Sequence, residues 1–230
     1  MNVLSYIVAG FAPGIALLCY FYLRDQYRPE PIKYVLKMFI AGLFLVFPTM
    51  ALQHAFRQGF GEPMLFDSFV TIAFLEEALK CFFLYQMAYK FPGFEEPYDG
   101  IVYGVAIALG FATAENMFYI FINGIHVAWL RALVPVSGHA LFGVLMGFYL
   151  AKARFAETRK RWVKWTAWAV CIPVAAHGCL DFILLYTDVF WKWIIGPFMI
   201  VLWFIALRRA KIALERSPFA KAGEVGYYST

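Results

Sequence analysis

Glu76 and Glu77 stand side by side in Phe74-Leu-Glu-Glu-Ala-Leu-Lys80, inside a long apolar run, with Lys80 one helical turn further on. Glu115 and Asn116 end the apolar stretch Phe111-Ala-Thr-Ala-Glu-Asn116, His139 sits in a third stretch, and His177 and Asp181 sit in a fourth. Ionisable side chains inside apolar helices are costly, so they face a cavity or pair with one another. The spacings suit pairing. Glu76 and Lys80 are i,i+4 and Glu77 and Lys80 are i,i+3, so one carboxylate lies over the ammonium and the other points elsewhere. His177 and Asp181 are also i,i+4, which lets the aspartate orient the imidazole. Carboxylates and imidazoles in a cavity of low dielectric are suited to activating water. A glutamate takes its proton as general base, and histidine or asparagine donates to the developing oxyanion.

The elements that must position these groups follow from composition. Of 230 residues, 63% are hydrophobic and only 15% are charged, with a mean hydropathy of +0.67. A soluble domain carries about 25% charged residues, so this apolar excess cannot be buried in one water-facing globule. Disorder is excluded, and so is a disulfide-stapled secreted fold. The four cysteines (Cys19, Cys81, Cys171, Cys179) lie in apolar runs and form no CxxC pair. The chain reads as an all-α polytopic membrane helix bundle. Its net charge of +5 sits in short loops, the pattern of loops facing anionic lipid and not of a nucleic-acid surface. The N-terminus lacks a basic n-region and a small-residue cleavage site, so the first span is expected to be retained.

A span needs about 20 apolar residues, and seven are expected. They run from 3 to 23, 34 to 53, 69 to 89, 99 to 122, 132 to 150, 162 to 186 and 189 to 207. The reading divides the chain into a seven-helix domain, 1–207, and a polar cytoplasmic tail, 208–230. With seven spans, one face collects fifteen basic residues, from Arg24 and Arg28 through the Lys152–Lys164 loop to Lys221, and the other collects only Arg57, Arg131 and Lys192. The positive-inside rule then puts the C-terminus in the cytoplasm and the N-terminus outside.

Depth arithmetic gathers the polar residues. At 1.5 Å per residue, Glu76 falls roughly 15 Å from the outer surface, Glu115 and His139 about 10 Å, and His177 and Asp181 roughly 8–14 Å. Four helices bring polar groups to one level in the outer half of the bilayer, which describes a site open to the outside.

Blander readings attach to several residues. Glu77 with Lys80 can be a buried ion pair that holds helices together, and Asn116 suits an interhelical hydrogen bond. Lys37, Glu95, Glu96 and Asp99 are expected to be solvated at the cytoplasmic face. Gly100-xxx-Gly104 and Gly143-xxx-Gly147 mark close helix contacts, and Trp162, Trp165, Trp191 and Trp193 fall at span ends as an aromatic belt does. There is no HExxH or GxSxG, and Ser137 lies two residues from His139, on a different helix face.

Taken together, five segments resemble the PrsW family of bacterial intramembrane proteases. They are Glu76-Glu77-Ala-Leu-Lys80, Tyr98-Asp-Gly-Ile-Val-Tyr-Gly104, Leu109-Gly-Phe-Ala-Thr-Ala-Glu-Asn116, Arg131-Ala-Leu-Val-Pro-Val-Ser-Gly-His139 and His177-Gly-Cys-Leu-Asp181. The similarity runs to about Lys211. It implies a glutamic-type peptidase, related to the type II CAAX prenyl proteases, that makes the site-1 cut in a membrane-spanning anti-sigma factor under envelope stress. Glu76 and Glu77 match the family's paired glutamates and His177 its late histidine. Lys80 and Glu115 depart from the prenyl-protease pattern, which argues against a prenylated substrate.

The expected chemistry is that Glu76 or Glu77 activates water, while His177, oriented by Asp181, and His139 stabilise the oxyanion. Lys80 holds the second glutamate, and Glu115 with Asn116 orders the water or a neighbouring helix. No cofactor or metal is called for. The partners are the anti-sigma substrate and the lipid bilayer, in the bacterial plasma membrane, with no nucleic acid. The rival readings are a zinc-dependent intramembrane metalloprotease, a proton-coupled transporter and a silent scaffold.

Overall fold

The computed structural model describes residues 3–220, which are helical almost throughout and contain no strand. Helix α1 spans Val3–Leu23 and α2 spans Ile32–Phe60. Helix α3 is a continuous run over residues 64–89, in which ordinary turns at Met64–Phe66 and Leu75–Leu84 alternate with wide π turns at Asp67–Phe74 and Tyr85–Tyr89. Helix α4 spans Pro97–Asn123 and α5 spans Ile125–Arg154, with a wide segment at Ala132–Val136. Helices α6, Arg159–Tyr186, and α7, Trp191–Glu215, complete the bundle.

Each expected span has a helix at its place, and six of them, all but α3, are long and apolar enough to cross a membrane. Their ends run longer than the apolar stretches suggest. Helix α2 continues past Gln53 to Phe60, so that Arg57 stands on it and meets Asp67 at 2.9 Å. Helix α7 continues past Leu207 to Glu215, so the expected tail begins as helix, and residues 221–230 lie outside the described residues.

Helix α4 is the axis of the packing, with residues 98–113 buried without interruption. Its Gly100 and Gly104 meet Gly147 and Gly143 of α5, the close contact expected from the small-residue spacing. A Cβ on Gly104 would come 2.5 Å from the Gly143 carbonyl oxygen, so only bare backbone allows this approach. Helices α1 and α2 pack on one flank of the α4–α5 pair and α6 and α7 on the other, with α3 held between α2 and α6. Outward faces expose Phe44, Phe47, Ile200 and Phe204, as surfaces in contact with lipid tails do.

One expectation fails at the end of the bundle that carries the basic loops. Glu96 and Asp99 are buried, not solvated. Asp99 Oδ2 accepts the backbone N–H groups of Glu95 and Glu96, at 2.7 and 2.9 Å, and caps α4. Ser217, just past α7, donates to Glu96, and Tyr103 donates to Glu30. The 24–31 loop folds Asp25 against the same acids, where its carboxyl is buried beside Glu96 and Glu30. Burial, with the Glu96 charge adding to it, pushes Asp25 up to about 7, and burial also raises Glu30.

Candidate active site

The amino acids of α3 put three ionisable side chains on adjacent turns, and the wide 67–74 segment just before them sets the rotation at which they face inward. Lys80 Nζ is the hub. It lies 2.7 Å from Glu77 Oε1, 3.3 Å from Glu76 Oε2, 3.1 Å from His139 Nδ1 and 4.1 Å from the centroid of the Phe111 ring. The spacing suggested that one glutamate would pair with Lys80. The ammonium reaches both, because its three protons can serve acceptors one turn back on either side.

Histidine tautomers follow from these partners. An ammonium can only donate, so His139 Nδ1 accepts from Lys80 and its Nε2–H donates to Glu115 Oε2 at 3.0 Å. Both nitrogens of His139 are thereby engaged. His177 Nδ1 meets Glu77 Oε1 at 2.9 Å, while its Nε2 looks toward Asp181 Oδ2, 3.3 Å away, and Glu76 Oε2, 4.0 Å away. The Asp181 oxygen is close enough for an ion pair but is not aligned as a hydrogen bond. Phe142 stacks on the His177 ring with centroids 4.9 Å apart and fixes its plane.

The two glutamates differ in what they face. Glu77 is fully buried, and its Oε1 takes hydrogen bonds from both Lys80 and His177. Glu76 lines two cavities. One, of about 250 Å³, is also lined by Glu115, Arg131, His139, His177 and Asp181. The other, of about 370 Å³, reaches between α2 and α4 past Gln53 and Arg57. Both cavities adjoin Glu76 and the first also adjoins His177, whereas neither is lined by Glu77 or Lys80.

Of the residues singled out in the sequence, Glu76, Glu77, Lys80, Glu115, His139, His177 and Asp181 come together here. Asn116 turns away from them. It donates to the Gly10 carbonyl of α1 at 3.1 Å and accepts from Arg131 Nε at 3.1 Å, which is an interhelical role. Ser137 donates back to carbonyls of its own helix and forms no dyad with His139.

Two contributors escaped the sequence reading. Gln53, in the last third of α2, donates to Glu76 Oε1 at 3.1 Å, and an uncharged side chain at the edge of an apolar stretch carries no signal in the sequence. Arg131 was read as an external loop charge, yet it is buried, lies 3.4 Å from Glu115 Oε1, and covers the Tyr119 ring at 3.8 Å. Its place in a polar motif with His139 was the available signal.

Glu76, Glu77, His139 and His177 offer ligand atoms within 4.8 Å of one another, a donor set that zinc accepts by type. Lys80 Nζ, however, lies within hydrogen-bonding distance of three of the four. A fixed positive charge already holds the point on which those atoms converge, and a dication there would meet it at close range. In this arrangement the residues do not fit a metal ion.

A family profile described as "PrsW family intramembrane metalloprotease" matches residues 30–207. The chain is 50% identical over 208 residues to Protease PrsW of Bacillus subtilis (strain 168), covering 90% of this chain and 94% of that one. It is 46% identical over 210 residues to Protease PrsW of Geobacillus kaustophilus (strain HTA426), covering 91% and 92%. Similarity extends to Protease PrsW of Clostridioides difficile (strain 630), 32% identical over 206 residues and covering 84% and 85%. No solved structure matches the chain.

Proposed function

This chain belongs to the PrsW family of intramembrane proteases, and we propose that it works as a glutamic-type endopeptidase with Glu76 as its general base. Its substrate is a single-span membrane anti-sigma factor, cut near the extracytoplasmic side so that the sigma factor is later released in an envelope stress response. The substrate class rests on the family resemblance. The side of the cut rests on the depth of the site and on the basic loops at the opposite end of the bundle.

The observation that carries the chemistry is the unequal setting of the glutamates. Glu76 opens onto both cavities, whereas Glu77 is sealed behind Lys80 and His177. Glu76 takes a proton from water, and the hydroxide attacks the scissile carbonyl carbon. His177 acts as the imidazolium: Glu77 holds its Nδ1–H, and its Nε2–H faces the same cavity and donates to the oxyanion as the carbonyl π bond opens. Protonated Glu76 then returns its proton to the amide nitrogen as the C–N bond breaks and the carbonyl re-forms, which leaves a carboxylic acid and an amine and restores the Glu76 carboxylate.

The other polar residues position these two. Glu77 holds His177 Nδ1, Asp181 stands on the Nε2 side of the ring, and Gln53 orients the Glu76 carboxylate. His139 was expected to donate to the oxyanion. With Nδ1 on Lys80 and Nε2 on Glu115, it serves instead to fix the ammonium.

Reconstitution with a single-span anti-sigma substrate tests this reading. One cut in the outer part of the substrate span, mapped by mass spectrometry and insensitive to a zinc chelator, is expected. Loss of cleavage on chelation, restored by added zinc, would replace it with the metalloprotease reading.

A further inference from the structure

Away from the active site, α5, α6 and α7 part to leave a groove that begins at the basic end of the bundle. Its mouth is a cavity of about 560 Å³ walled by Phe148 and Lys152 of α5, Arg161 and Trp165 of α6, and Ala213 and Arg216 at the end of α7. Further along the same helices lies a second cavity of about 650 Å³, walled by Leu145, Trp168, Cys171, Ala175, Cys179 and Leu202. The mouth is cationic and aromatic, and the deeper part is apolar.

The charge at the mouth is uncompensated. Lys152 Nζ lies 3.5 Å from the Trp165 ring centroid and Lys164 Nζ 5.0 Å from it, Arg209 stands 5.4 Å from the ring of Phe148 in the cavity wall, and Arg216 lines the same cavity. None of these four cations has a carboxylate within 4 Å among the described residues. Arg161 alone is paired, with Glu157 at 3.1 Å. Basic side chains that repel one another around an aromatic floor favour an anion among them. Trp165 belongs to the interfacial level where headgroups lie.

Length identifies the remainder of the ligand. The two cavities share no wall residue but both lie along α6, the first at Arg161 and Trp165 and the second from Trp168 to Cys179. From Trp165 to Cys179 they run 14 residues, about 21 Å, which is longer than half the hydrocarbon core, about 15 Å, and within the reach of an extended acyl chain that starts at the interface. Soluble phosphate or a soluble acidic peptide would use the mouth and leave the apolar part in contact with bulk lipid. We propose that this groove binds an anionic phospholipid, with its phosphodiester among Lys152, Arg209 and Arg216 and an acyl chain laid along α6 toward Cys179.

The test uses the full chain, purified in detergent and titrated with dioleoyl phosphatidylglycerol or dioleoyl phosphatidylcholine, with bound lipid counted by native mass spectrometry. Phosphatidylglycerol is expected to bind in preference, and each charge removed at the mouth to weaken it about fivefold, compounding in Lys152→Gln/Arg216→Gln. Arg159→Gln/Lys160→Gln, which removes two exposed cations outside the groove, is expected to leave binding unchanged. Ala175→Trp, which fills the apolar part with every charge intact, is expected to weaken it. If the double variant does not fold, Arg209→Gln alone carries the charge test. Protection of Cys171 from a thiol reagent by phosphatidylglycerol needs no variant at the mouth. Equal retention of both lipids, unchanged binding by the mouth variants, or displacement of the lipid by inorganic phosphate would overturn the proposal.

Discussion

His177 Nδ1 stands 2.9 Å from Glu77 Oε1 and ties α6 to α3 at the centre of the site. The same carboxylate oxygen holds Lys80, a side chain with no exposure at all. Removing one partner of a buried ion pair strands the other charge, at a cost of about 3–5 kcal/mol. Glu77→Gln is therefore expected to lower the unfolding temperature markedly in detergent. Adding Lys80→Met to it, which removes the stranded ammonium, is expected to recover part of the loss. Thermal unfolding followed by circular dichroism checks both, and the pair is expected to be strongly non-additive.

Much of this site could be read from spacing alone. Ionisable residues are so costly in an apolar span that their depth is informative, and depth depends only on counting residues along a helix. Which way a side chain points is another matter. The wide turns at 67–74 and 132–136 change the rotation of everything after them, and only Pro135, in the second, announces one. The open setting of Glu76 and the sealed setting of Glu77 were hidden by the first, and the second changes how Arg131, before it, is turned relative to His139, after it. The burial of Glu96 was hidden differently, since its partner Ser217 lies 121 positions away in sequence.

The α4–α5 seam supplies a packing prediction. A methyl group on Gly104 would press on the Gly143 backbone at 2.5 Å, and neither helix can yield without moving the site residues it carries. Gly104→Ala is expected to destabilise by about 1–3 kcal/mol, as overpacking does. Gly59 on α2 has nothing within 4 Å of its Cβ position, so Gly59→Ala is expected to stabilise by about 0.5–1 kcal/mol. Comparing the two melting temperatures distinguishes a seam defect from a general effect of added methyl groups.

Asp25 gives stability a pH dependence with a definite sign. In the unfolded chain it titrates near 3.8, and in the folded protein burial holds it up to about 7. Between those values the folded state keeps a proton that the unfolded state has lost, so stability falls as pH rises through that window. Glu30, raised by burial in the same cluster, adds to the slope with the same sign. Asp25→Asn is expected to flatten the profile, as read from unfolding temperatures measured between pH 4 and pH 7.

The most direct test of Glu76 as the base is the initial rate of substrate cleavage by Glu76→Gln in reconstituted protein. Glutamine keeps the shape of the side chain and a place for the Gln53 hydrogen bond but cannot accept the proton of water. The expected result is a fall of about 10²–10⁴-fold in rate, with an unfolding temperature lowered less than by Glu77→Gln, because Lys80 loses one carboxylate but keeps its 2.7 Å contact with Glu77. Cleavage by Glu76→Gln at the parent rate would contradict the assignment.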